Sequence, residues 1–332
     1  MNGSYEIGPI RPPSEANSLL IRVTRNCPWN KCKFCSLYKG ERFSTRSIDE
    51  IKADIDQISL HTNIIRESVF LQDANTMVLS YDKLREILVY LREKIPQVKR
   101  VTSYGRVDSL VRFSVEQLTG LKEAGLDRIH SGFESGSDKV LTIINKGYTK
   151  AQEIEAGQKV KAAGIELSVY YMPGAGGLEL SHENAVETAD VINKINPDFV
   201  RIRTFVSKPR TELFDEINAG RIKECTDKEK LLELKKMIEN IDAADGYLFS
   251  DHIINLLPDI NGNMKTDKEK MLAQISAFEN LDIHEQRRYQ LARRMGMGGS
   301  LLNVGMIDDY LNQFSAEEEF EAFLLKLLRR YI

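Results

Sequence analysis

Apolar and polar positions between residues 19 and 240 switch repeatedly between two periods. Short runs that are apolar throughout or at every second position alternate with longer stretches whose apolar residues recur three and four apart. The short runs predict six strands: LLIRVTR from Leu19, SVFLQD from Ser68, KRVTSYGR from Lys99, DRIHSGFE from Asp127, IELSVYYM from Ile165 and DFVRIRTFV from Asp198. Helical stretches begin between them near Ser47, Tyr81, Ser114, Lys150, Ser181 and Thr211, several opened by side chains that can cap free N–H groups. Two helices announce their ends at Gly125 and Gly164, where glycine accepts the left-handed turn back to a strand. A strand–helix unit repeated in this way predicts an α/β fold with a parallel sheet. The expected architecture is a partial (β/α)6 TIM-like barrel, with an open doubly wound sheet as the alternative of identical period. Either one gathers ligands at the C-terminal ends of its strands.

The pattern changes after about Asp245, where a mixed stretch leads into a charged helical segment over 265–295, a Gly-rich turn from Gly296 and a final helix. The expected organisation is an N-terminal extension over 1–17, a barrel over 18–244 with a special loop at 26–40, and a C-terminal helical region over 245–332. A chain of 332 residues is long enough to bury a full core without staples. Its 46 basic and 49 acidic residues leave a net charge of −3, which gives no general attraction to nucleic acid or to an acidic membrane surface. No apolar run approaches the roughly 18 residues of a membrane span. A cytoplasmic enzyme, with no membrane partner and no nucleic acid partner, is the expectation.

The chemistry is concentrated in the segment NCPWNKCKFC, which follows the first strand and carries Cys27, Cys32 and Cys35. Thiols grouped on one loop, with Cys225 as the only other cysteine, suit a soft metal centre better than disulfides. A closed zinc site takes four protein ligands, and a four-iron cluster in an electron carrier takes four cysteines. Three near ligands leave one coordination position for a substrate or cosubstrate. A zinc loop completed by Cys225 or by one of the five histidines is the competing reading.

The loop resembles the cluster loop of the radical S-adenosylmethionine (radical SAM) superfamily, with Phe34 at the aromatic position before the last cysteine. One departure is the spacing: four residues, 28–31, separate the first two cysteines, where the commonest family spacing has three. The resemblance extends over residues 19–240 through LKEAGLDRIHSGFESGSD and YYMPGAGG, and is greatest to elongator-type, methylthiotransferase-type and nitrogenase-cofactor-type members. It implies a [4Fe-4S] cluster held by Cys27, Cys32 and Cys35, whose fourth iron binds S-adenosylmethionine. It further implies an external one-electron reductant such as flavodoxin or ferredoxin. By position, Glu134 resembles the family's polar contact to S-adenosylmethionine, Lys146 the basic residue that pairs with its carboxylate, and Arg106 a third contact. Where many members carry a Gly-Gly-Glu segment facing the methionine ammonium, this chain has LQDAN, so Asp73 and Asn75 are the candidate acceptors. Phe205 is placed to lie beside adenine, and Gly174, Gly176 and Gly177 would let the backbone approach the adenosyl group.

The activity implied is reductive cleavage of S-adenosylmethionine to methionine and a 5′-deoxyadenosyl radical that abstracts hydrogen from an unidentified substrate; no residue is singled out as catalytic toward that substrate. Two alternatives are a haem- or cofactor-binding chaperone related to oxygen-independent coproporphyrinogen oxidases, and an RNA-modifying radical enzyme. Trp29, inside the loop, is read as packing, with shielding of the cluster from water or docking of a partner as alternatives. Asp251, His252 and the turn from Gly296 are candidates for shaping a substrate site. Arg287, Arg288, Arg293 and Arg294 form either a solvated face or an anion site.

Overall fold

A computed structural model describes residues 5–60, 66–297 and 304–331. In chain order the strands are β1 (Leu19–Arg22), β2 (Thr24–Arg25), β3 (Ser44–Thr45), β4 (Ser68–Gln72), β5 (Arg100–Tyr104), β6 (Leu126–Glu134), β7 (Glu166–Tyr171), β8 (Phe199–Ile202), β9 (Tyr247–Phe249) and β10 (Asn261–Asn263). The helices are α1 (Ile48–Ser59), α2 (Tyr81–Lys94), α3 (Val107–Leu110), α4 (Val115–Glu123), α5 (Asp138–Ile143), α6 (Lys150–Ala162), α7 (Ser181–Ile195), α8 (Glu212–Asn218), α9 (Asp227–Glu239), α10 (Lys268–Glu279), α11 (Ile283–Arg294), α12 (Val304–Leu311) and α13 (Glu317–Leu328). The six strands expected from the hydrophobic pattern are β1 and β4 to β8, each starting within one or two residues of its expected position.

Contacts divide the chain into two compact units. The first comprises Met1–Phe133, Lys146–Tyr170 and Pro197–Phe199. Its main sheet has the order β1-β4-β5-β6-β7, and the β1–β4, β4–β5 and β5–β6 pairs are parallel. Burial explains the strand sequences: Ile21, Val69, Phe70, Val101 and Ile129 are wholly shielded from water. Runs apolar at consecutive positions are what a sheet covered on both faces requires. Helices α1, α4 and α6 begin at capping boxes on Ser47, Ser114 and Thr149. Gly125 and Gly164 take positive φ at 112° and 71°, turning the chain back toward β6 and β7. Glu15 is a buried polar group outside the sequence pattern, pinned by Ser18, Arg100 and His130.

The second unit comprises Glu134–Asn145, Tyr171–Asn196 and Val200–Ile332. Here β8, β9 and β10 are neighbours in that order, and β9 and β10 run antiparallel. This pair falls in the mixed stretch that precedes the helices of the region after 245. Three-residue strands are too short to show a period, and Asn-Gly-Asn in β10 has no apolar signal at all. The last helices α11, α12 and α13 share an apolar core of Leu291, Ile307, Leu311, Phe320, Leu324 and Leu327. No helix among the described residues is long and apolar enough to cross a membrane.

Candidate cofactor site

The cysteine loop has a stem that sequence reasoning missed. Strands β2 and β3 pair antiparallel, Thr24 with Thr45 and Arg25 with Ser44, and residues 26–43 form the loop between them. Asn26 and Asn30 take positive φ of 66° and 46°, a conformation asparagine tolerates better than most residues. Their side chains then tie the loop across itself. Asn26 Nδ2 donates to the Arg42 carbonyl at 2.7 Å, and Asn30 Nδ2 to the Tyr38 carbonyl at 2.5 Å. The Asn30 N–H points at Cys27 Sγ, 3.4 Å away, and the Cys35 N–H bonds the Cys32 carbonyl. Cys32 is buried, while Cys27 and Cys35 are half-buried.

Two cations stand beside this loop. The Arg106 guanidinium lies 5.5 Å from the centroids of both the Trp29 and the Tyr148 rings, and its Nη2 donates to the Lys146 carbonyl at 2.7 Å. Lys146 Nζ lies 5.8 Å from the Phe34 ring and 5.5 Å from that of Tyr148. Burial pushes the Cys32 thiol up, and Lys146 and then Arg106 pull it the other way. Burial works against the Arg106 charge, yet Asp108, Tyr148, Cys32 and Cys27 leave its pKa raised. Tyr148, which sequence reasoning did not single out, anchors this group by donating its hydroxyl to the Gly132 carbonyl at 2.5 Å. The signal for it was present in NKGYT, immediately after Lys146.

Asp73 and Asn75 are fully buried and already engaged within the first unit. Asp73 takes hydrogen bonds from Arg22 Nη2 at 2.8 Å, from the Asn26 N–H at 3.2 Å and from the Tyr38 hydroxyl. Asn75 accepts from the Arg106 N–H at 3.0 Å and donates to Ser109 Oγ at 2.8 Å, so it shapes the entry to α3. The structure thus gathers Cys27, Cys32, Cys35, Phe34, Arg106 and Lys146, with Asp73 and Asn75 hydrogen-bonded within the same unit.

Glu134 and Phe205 belong to the second unit. Glu134 ends β6 with φ of 68°, its carbonyl accepting the Met172 N–H, and the buried Phe205 donates its N–H to the Pro173 carbonyl. In the same unit the glycine turn after β7 is fastened by Glu233. One oxygen of that carboxyl accepts from Gly174 N–H at 3.0 Å, from Tyr171 hydroxyl at 2.8 Å and from Asn184 Nδ2 at 2.6 Å. Burial raises its pKa to about 7. Gly174 and Gly177 take positive φ, which Gly176 does not.

The remaining candidates resolve differently. Asp251 pairs with Arg201 and Arg203, and His252 accepts the Ile254 N–H at Nδ1. Residues 298–300 of the turn beginning at Gly296 lie outside the described residues. Each member of the arginine run has a partner within the second unit. Arg287 pairs with Glu317, Arg288 with Glu285 and Asp308, and Arg293 bonds backbone carbonyls of Ile253 and Asn255. Arg294 forms a buried two-pronged pair with Asp227. Such a fork satisfies both charges internally.

Among the described residues, no three or more His, Cys, Asp or Glu side chains converge as a site for a single metal ion. The thiolates of a four-iron cluster each bind a different iron and need only border the same cubane. The donor set fits the cluster: three soft ligands on one tied loop, with the cationic Arg106 and Lys146 beside Cys32.

Comparison with known proteins agrees. The model of the Radical SAM superfamily matches residues 21–190. A Pyrococcus horikoshii protein described as an uncharacterized methyltransferase is 28% identical over 200 residues, covering 59% of this chain and 41% of that protein. A tRNA-2-methylthio-N(6)-dimethylallyladenosine synthase of Hydrogenobaculum is 24% identical over 231 residues, covering 66% of this chain and 50% of the synthase. The chain therefore spans about half the length of these curated relatives. Among solved structures, coproporphyrinogen III oxidase of Escherichia coli, described as a radical SAM enzyme, superposes with a TM-score of 0.51 at 15% identity, covering 67% of this chain and 51% of the oxidase. That likeness shows the fold alone, and it is the α/β partial TIM-type fold expected from the strand–helix period.

Proposed function

The chain belongs to the radical SAM superfamily, and from that premise we propose that it cleaves S-adenosylmethionine reductively and uses the 5′-deoxyadenosyl radical to take hydrogen from a substrate. The superfamily's cofactors are a [4Fe-4S] cluster and S-adenosylmethionine. The observation that carries the reading is the tied loop bearing Cys27, Cys32 and Cys35 inside the matched region, with Arg106 and Lys146 beside Cys32.

When bound, the reduced cluster supplies one electron to the sulfonium, which the cofactor chemistry alone makes possible. The chain's share is placement. Cys27, Cys32 and Cys35 would hold three irons; Lys146 would pair with the S-adenosylmethionine carboxylate, and Arg106 would fix the Lys146 backbone while adding positive charge. Phe34 and Trp29 would exclude water from the loop's inner side. Glu134 and Phe205 are proposed as further cofactor contacts on the family resemblance. The electron donor is proposed to be a flavodoxin or ferredoxin, since superfamily members take their electron from outside. Residues 18–244 are proposed as the catalytic region, flanked by 1–17 and by 245–332.

Anaerobic reconstitution followed by dithionite and S-adenosylmethionine tests the activity. The expected result is 5′-deoxyadenosine from the reconstituted chain and none from Cys32→Ala. Equal amounts from both, with cluster loading of the parent verified, would reject it.

A second reading, modification of RNA, draws support from the printed names of the methylthiotransferase relatives, although they are matched over only half their length. A salt-sensitive shift of tRNA by the holoprotein would favour it, because phosphate contacts weaken steeply with salt.

A further inference from the structure

We propose that Asp73 is a positioning residue for the cysteine loop, a clasp that closes its two feet, and that it does not touch S-adenosylmethionine. This inference rests on the reading of residues 26–43 as the cluster loop and assigns a new role within that site.

The geometry is specific. Asn26 immediately precedes Cys27, and its N–H donates to Asp73 Oδ2 at 3.2 Å. Tyr38 stands three residues past Cys35, and its hydroxyl donates to Asp73 Oδ1. One carboxylate therefore grips the chain just before the first cysteine and just after the last. Arg22, at the end of β1, donates to Oδ2 at 2.8 Å and also reaches Glu6, which fixes the carboxylate against the strand beneath. The Asp73 N–H is itself held by Thr24 Oγ1 at 3.2 Å, in the stem of the loop.

The remaining side is closed as well. A Cβ added to Gly8 would fall 3.2 Å from Asp73 Cγ, so the N-terminal segment lies directly against the carboxylate. That segment is clamped in turn, because Gln72 accepts from the Gly8 N–H at 2.9 Å and donates to the Gly8 and Ile10 carbonyls. Asp73 has no exposed surface. With three donors on its two oxygens and a backbone against its flank, it offers no face to a bound ammonium group.

The physical consequence concerns the loop before any cluster arrives. The β2–β3 ladder spans only two residue pairs, too little to hold an eighteen-residue loop in one geometry. A second closure by a buried charged acceptor reduces the loop's freedom beforehand, so ligation of the three irons costs less ordering. An asparagine in place of Asp73 could not repeat this, since an amide presents one acceptor oxygen and one donor nitrogen to three donors.

The test uses the full chain, apo and reconstituted, with Asp73→Asn, Tyr38→Phe and the double variant. In the apo protein, alkylation of Cys27 and Cys35 followed by mass spectrometry is expected to quicken severalfold in Asp73→Asn and less in Tyr38→Phe. In reconstituted protein, transfer of iron to a ferrous chelator should be about tenfold faster in Asp73→Asn, the size expected for losing one charge-assisted hydrogen bond. The double variant should match Asp73→Asn, and the fraction still loaded should bind S-adenosylmethionine with parental affinity. Weakened S-adenosylmethionine binding with unchanged alkylation and iron retention would overturn the clasp in favour of direct ligation. No change in any measurement would overturn it too. A parent chain that retains no iron on reconstitution would instead reject the cluster reading, and the apo alkylation rates would still decide the clasp.

Discussion

Gly147 lies so close to Trp29 that a Cβ added to the glycine would overlap the indole ring. Gly147 also takes φ of 80°, which side chains rarely adopt. The residue after Lys146 is therefore glycine for two independent reasons, and the only tryptophan in the chain is seated by it. Gly147→Ala is expected to cost roughly 2–4 kcal/mol from backbone strain plus overpacking. Urea unfolding followed by far-ultraviolet circular dichroism measures it. Adding Trp29→Ala should recover the overpacking share and leave the strain. Parental stability in the single variant would show that the contact is absent.

Arg106→Lys should separate charge from fork geometry. A lysine ammonium keeps the positive charge near Cys32, but one nitrogen cannot both pair with Asp108 and reach the Lys146 carbonyl as the guanidinium does. Thermal unfolding should show a loss of about 1–2 kcal/mol. Arg106→Met removes the charge as well. Because that charge draws the Cys32 thiol downward, its removal should slow Cys32 alkylation in the apo protein at fixed pH, with Arg106→Lys close to the parent.

Two buried groups of the second unit should give pH dependences of opposite sign. Glu233 has a folded pKa of about 7, above its ordinary 4.5, because burial disfavours the charge. Between those values the folded chain holds a proton that the unfolded chain lacks. Its contribution is therefore complete below pH 4.5 and is lost as pH rises through about 7, amounting to about 1–3 kcal/mol. Glu233→Gln should flatten the decline across that window, leaving the part due to Glu321, which burial and then Asp227 also raise to about 7. His252 is lowered to about 4 by burial and by Arg203. Its contribution is present above pH 6.5 and is lost as pH falls through about 4. Denaturant midpoints measured from pH 4 to pH 8 in the parent, Glu233→Gln and His252→Gln resolve the two. A Glu233→Gln curve parallel to the parent's would refute the first assignment.

Cys225 is wholly buried, and burial pushes its thiol up to about 12, with Glu233 adding to the effect. Such a thiol is a poor ligand and a weak nucleophile. Cys225→Ala should keep the full iron content after reconstitution, about four per chain for a cubane. Cys27→Ala, Cys32→Ala and Cys35→Ala should each lose most of it. Loss of metal in Cys225→Ala, with zinc in place of iron by elemental analysis, would revive the zinc reading.

The strand–helix period was legible because burial on both faces of a parallel sheet writes itself into consecutive residues. The cysteine loop was legible because its ligands lie close along the chain. Short elements carry no such signature. The β2–β3 stem, two residues on each side, and the β9–β10 pair left nothing for a period to detect. Asp73 shows the same limit in the site: a carboxylate ending a strand reads equally well as a ligand or as a brace, and its donors Arg22, Asn26 and Tyr38 lie 51, 47 and 35 positions away.

Residues a few positions apart specify the α/β repeat, the helix starts near Ser47 and Ser114, and the thiol triad. Tertiary structure decided which buried polar groups meet. It sent Asp73 to Arg22, Asn26 and Tyr38, joined Arg294 to Asp227 and gave Glu233 to the Gly174 turn. Those pairings join residues tens of positions apart. Each is set by the need to satisfy every charge and hydrogen-bonding group removed from water, a requirement that acts only once the chain has folded.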